Sequence, residues 1–135
     1  MSLQIIRAGF EKKLATMAGN LATAFENVAY TPTAGVPYQR LNLLPNTPGN
    51  EIQGSRSYFE RGIYQITACF PMGTGPGAAG AYAQLLRSHF KRGVSMLESG
   101  VTVLVTDTPS VSPGIIDGDR YCVPVSIIYQ AQILT

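Results

Sequence analysis

At 135 residues the chain has the size of one ordinary domain and can bury a core without metal or disulfide staples. Hydrophobic residues make up 45% and charged residues only 13%, against about 25% charged in an average soluble domain, so part of the surface is either uncharged polar or destined to be covered by a partner. A net charge of +2 is too small for the electrostatic footprint of a specific nucleic-acid-binding domain, and no apolar run reaches the roughly 18 residues of a membrane helix.

The first element is an amphipathic helix. Leu3, Ile6, Phe10, Leu14, Met17 and Leu21 fall on one stripe, and Gly19-Asn20 is a suitable stop. The start lacks the basic region, long apolar stretch and small-residue cleavage site of a signal peptide. A short extended piece is expected over 24–28, then a Pro/Gly loop over 30–37 and a strand over 38–44. Residues 46–55 are almost free of apolar side chains and read as a long exposed loop between two antiparallel strands.

The second of those strands covers 57–70, with Tyr64, Ile66, Ala68 and Phe70 on one face and Gln65 and Thr67 on the other. A glycine-rich loop leads into a helix over 78–91. Its expected apolar stripe is Ala78, Tyr82, Leu85, Leu86 and Phe90, and Arg87, Lys91 and Arg92 complement the dipole at its end. Two more strands are expected: 101–106, with its valines on one face, and a last one in which Tyr121, Val123, Val125, Ile127 and Tyr129 share a face. Pro124 favours an edge position or a bulge there. The predicted fold is a single α+β domain over 1–135, an antiparallel sheet with two main helices packed on one face.

Few residues offer chemistry. Gly75-Pro76-Gly77-Ala78-Ala79-Gly80 matches the spacing of a dinucleotide-binding loop, with Glu98 about 20 positions later. That loop, however, needs a tight turn straight out of a strand inside a parallel strand–helix–strand unit, and Pro71-Met72-Gly73-Thr74 intervenes. The expected reading is a flexible loop, with no cofactor. One histidine, His89, and two cysteines 53 positions apart fall short of a metal site, and His89 reads as a capping or packing residue. Cys69 and Cys122 read as buried thiols unless their strands lie side by side, in which case they can bridge. Asp117 and Asp119 flank Gly118 as a turn, and no nucleophile elbow is present, so no catalytic residue is expected.

Arg40, Arg56, Glu60 and Arg61 lie in or beside the strands that border the long loop. They read either as a solvated rim or as charges that fix register across a subunit boundary. With Asn50 and Glu51 of the loop they form a candidate contact surface for other protein chains.

The order of several short motifs resembles the small bacteriophage tail terminator and tail completion proteins. It runs from Phe25-Glu26-Asn27-Val28 and Tyr30-Thr31-Pro32 through Gly35-Val36-Pro37-Tyr38 and Glu60-Arg61-Gly62-Ile63-Tyr64 to Pro71-Met72-Gly73-Thr74-Gly75. It continues with Thr108-Pro109-Ser110, Pro113-Gly114 and Tyr121-Cys122-Val123-Pro124-Val125, so that the likeness covers nearly the whole chain. The resemblance implies a non-catalytic virion protein, assembled in the bacterial cytoplasm into a homo-oligomeric ring, often hexameric, at the end of the tail. It implies contacts with copies of itself, with the tail-tube protein and with the head–tail connector protein, and passage of genome DNA through the ring without sequence recognition. A connector or tube subunit of similar topology, or a small ligand-binding domain, is the alternative.

Overall fold

The computed structural model describes residues 2–50, 57–73 and 75–134. Helix α1 spans Ser2–Ala15. It is followed by β1 (Ala22–Ala24), β2 (Tyr38–Pro45), β3 (Ser57–Pro71) and helix α2 (Gly77–His89). Then come β4 (Ser95–Glu98), β5 (Val101–Val105), β6 (Ser110–Val111), β7 (Ile115–Asp117) and β8 (Arg120–Leu134). The strand order is β1-β2-β3-β8-β5-β4, with β6 and β7 also on β8. Apart from the parallel pair β1–β2, every pairing is antiparallel. The α+β expectation holds, with a sheet that is mixed through its first short strand.

The two 15-residue strands β3 and β8 pair along their whole length and form the spine. Their alternation decides what each face does. Tyr64, Ile66, Ala68, Val123, Val125, Ile127 and Tyr129 point to the side both helices cover. α1 contributes Ile6, Phe10, Leu14 and Met17 to the same core. Phe10 stacks on Tyr64 at 4.4 Å and meets Phe90 at 5.8 Å and Tyr129 at 5.6 Å, so one ring joins both helical segments to the spine. Burying such a ring is worth about 1.5–3 kcal/mol.

Several boundaries differ from the expectation. α1 ends at Ala15, before Gly19, and the extended piece lies at Ala22–Ala24, earlier than 24–28. Glu26 then takes over the job of a neighbouring strand: its Oε1 accepts the Leu43 N–H at 2.9 Å and pairs with Arg7 Nη2 at 3.3 Å. The buried stripe of α2 is Ala79, Tyr82, Ala83 and Leu86, continued by Phe90, while Ala78 and Leu85 face solvent. Small alanines at 79 and 83 let the helix approach the sheet, and Leu85, half-exposed, belongs to the other side.

Between β5 and β8 the short strands β6 and β7 both pair with β8. The register slips by one between Val111↔Val125 and Ile115↔Cys122, and Pro124 sits at that slip. Its carbonyl accepts the Ser112 N–H, so the nitrogen that lacks a proton faces the same, interrupted side. Pro124 is thus a bulge residue in a central strand. The unpredicted β4 forms a hairpin with β5 through Ser99 (φ 50°) and Gly100 (φ 80°), a left-handed pair that suits a two-residue turn.

Candidate functional site

The sheet face away from the helices is divided in two. Tyr38, Cys69 and Cys122 form a second buried cluster at one end, with Ala24 against it. Cys69 and Cys122 stand opposite each other on β3 and β8 and are joined as a disulfide, so the condition set by their sequence reading, adjacent strands, is met.

Buried Arg120 pins the 30–37 segment at this end. Its guanidinium donates to the Thr33 carbonyl at 2.7 Å and to the Val36 carbonyl, and it lies 5.2 Å over the Tyr38 ring. Tyr30 packs on Tyr38 at 5.5 Å.

The other end of the same face is bare. Leu44, Ile63 and Ile128 lie side by side in register across β2, β3 and β8. Leu44 is 47% and Ile128 40% exposed, and Leu104 and Leu97 continue the apolar surface on β5 and β4 at 41% and 74%. Leu44, Ile63 and Ile128 line a shallow hollow of about 410 Å³ with Arg61 beside it. Leu44, Ile128, Leu104 and Leu97 thus put four exposed large aliphatic side chains on one sheet face.

The charged residues singled out from the sequence separate. Arg40 is on the helix-free face and pairs with Asp117 at 3.5 Å. Arg61 is on that face too, and its Nε donates to the Thr47 carbonyl at 3.3 Å. Glu60 is not with them: one position along the strand, it turns to the helix side and is only 7% exposed. That takes Glu60 out of the candidate interface, because a side chain buried inside the domain is not available to another chain. Asn50 is exposed just past Gly49, which pairs with Phe59 as an extension of the β2–β3 ladder. Glu51 and Arg56, with the rest of 51–56, lie outside the described residues.

The glycine-rich segment opens α2 but lacks the dinucleotide-loop context. β3 is flanked by β2 and β8, both antiparallel, and the strand after α2 pairs elsewhere. His89 packs against the end of α1, its Nε2 2.6 Å from the Lys13 carbonyl. Among the described residues no three His, Cys, Asp or Glu side chains come together, and no helix is long and apolar enough to cross a membrane.

Sequence reasoning passed over Leu44, Ile63 and Ile128, although a signal exists. On strands whose even or odd positions already supply a full core face, these three put large aliphatic side chains on the opposite face.

The fold and surface define a small α+β domain with one helix-covered face and one half-bare apolar face. Residues 5–129 match the family described as phage tail terminator protein, and the chain belongs to that family. Its role is structural, in phage tail assembly, and it is a component of the virion tail. One solved structure is 31% identical and superposes with a TM-score of 0.76 over 100% of this chain and 99% of its own; it bears no functional name. No curated protein sequence matches.

Proposed function

We propose that the chain is the ring subunit that caps the finished tail tube, ends tube polymerisation and presents the surface to which the head joins. The observation that carries this reading is the family match over 5–129, and the bare half-face of the sheet supports it by offering an apolar surface to other subunits. The protein acts by binding, without catalysis or cofactor. Its contacts are copies of itself, the tail-tube protein at one ring face and the head–tail connector protein at the other, with genome DNA passing through the lumen. Assembly takes place in the host cytoplasm.

The test adds the purified protein to polymerising tail-tube subunits. Growth should stop, with the protein found only at tube ends. Incorporation along the whole tube would favour a tube subunit, and unaltered growth would contradict the capping role.

A further inference from the structure

The bare half-face is one of several separate apolar features among the described residues. Another is the tip of the β7–β8 hairpin. Ile115 and Ile116 point to opposite faces of this short strand, yet they are 59% and 67% exposed. Exposure on both faces means the tip projects beyond the body of the domain. Met72, 53% exposed, stands beside it, and the Met72 N–H is tied to the Asp119 carbonyl at 3.0 Å. That bond ties the base of the tip to the end of β3. A β-carbon on Gly114 would fall 2.1 Å from the Tyr121 ring, so the chain entering β7 lies directly against that ring.

Along β8, Tyr121 opposite Ile116 and Ile128 in the hollow are seven residues apart. At about 3.3 Å per residue the two features are roughly 23 Å apart and cannot be parts of one patch.

Charged side chains flank both features. At the hairpin turn Asp117 pairs with Arg40, while Asp119, 3.9 Å from buried Arg120, keeps its side chain 85% exposed and open to a second cation. The hollow has Arg61 on its lining.

We propose that two copies of this chain join head to tail, the β7–β8 tip of one seated in the Leu44/Ile63/Ile128 hollow of the next, with Asp119 approaching the neighbour's Arg61. The proposal rests on the ring reading and names the surfaces that would build it. Two different, complementary patches on one subunit make a heterologous contact, which leaves each copy one free tip and one free hollow and so propagates until a ring closes. A self-complementary contact of hollow on hollow would leave the projecting isoleucines exposed and bring Arg61 toward its own copy.

The experiment uses the full chain and sedimentation, with circular dichroism as the folding control. Wild type should form a concentration-dependent closed oligomer. Ile116→Glu at the tip and Ile128→Glu in the hollow should each weaken association by about tenfold or more, because the contact would bury an unpaired charge. Leu44→Glu serves as a second hollow variant should Ile128→Glu fail to fold. Mixing the tip and hollow variants in equal amounts should give a dimer and nothing larger, since only one productive contact can form between them. Assembly of either variant as in wild type, a mixture that stays monomeric or grows past the dimer, or a wild type monomeric throughout overturns the proposal. Tube capping by wild type, measured separately, distinguishes failure of the contact from failure of the terminator reading.

Discussion

The Tyr129 hydroxyl lies against the open side of Gly62, where an added β-carbon would stand 2.9 Å from it and 2.5 Å from the Leu44 carbonyl. Gly62 faces the core at the centre of β3, so the close approach is a packing requirement and not a turn. Gly62→Ala is expected to cost about 1–3 kcal/mol through overpacking. Chemical denaturation measures it; an unchanged midpoint would show that Leu44 and Tyr129 can move aside.

Two buried tyrosines should respond oppositely to loss of the hydroxyl. Tyr82 donates to Gln39 at 2.5 Å and accepts the Leu21 N–H at 3.3 Å, while Gln39, itself fully buried, donates to Thr23 and the Leu21 carbonyl. Tyr82→Phe breaks that network and should cost about 1–3 kcal/mol. The Tyr64 hydroxyl is buried without a hydrogen-bond partner among the described residues. Tyr64→Phe should leave stability unchanged or raise it by up to about 1 kcal/mol. A loss as large as that of Tyr82→Phe would reveal a partner for Tyr64.

The same burial sets an alkaline limit. Desolvation, helped by the nearby Glu60 carboxylate, pushes the Tyr129 hydroxyl up to about 12, and burial raises Tyr64 further. An unfolded tyrosine titrates near 10. Above that pH the unfolded state releases its protons first and gains on the folded state. Stability should be complete below about pH 10 and fall as pH rises toward 12, with a shallower fall in Tyr129→Phe. Denaturation midpoints across that range provide the test; equal slopes in the two proteins would contradict the assignment.

The bridge between Cys69 and Cys122 links β3 to β8 across 53 positions of sequence. Closing a loop of that length limits the unfolded chain and is expected to contribute about 2–4 kcal/mol. Denaturation with and without reductant, beside the mass of the unreduced protein, checks both the bond and its effect. An identical midpoint would assign the stability to strand pairing alone.

The strand spine and the two helices were legible because alternation over 57–70 and 121–129 and the Ile6/Phe10/Leu14/Met17 stripe are long enough to name their period. The α2 stripe was harder. With alanine at 78, 79, 81 and 83 the small positions carry no phase, and Leu85 pulled the reading one position off. β4, β6 and β7 are two to four residues long and owe their existence to the long partner β8, or to a hairpin on β5, more than to local preference. The same limit applied to the surface. Charge drew attention to Glu60, which the strand pleat turns inward, while the apolar residues of the opposite face and buried Arg120 went unmarked. A buried arginine satisfied by the carbonyls of Thr33 and Val36 has no signature in sequence, because its partners are backbone atoms more than 80 positions away.

The central claim is a matter of position: one closed ring of this chain at the head-proximal end of each tail. Electron cryomicroscopy of tails assembled with the protein, set beside tails made in its absence, tests it most directly. The account predicts a single added ring at that end when the protein is present, and over-long tubes that fail to join heads when it is missing. Density for the chain repeated along the tube, or tails of normal length that join heads without it, would contradict the account.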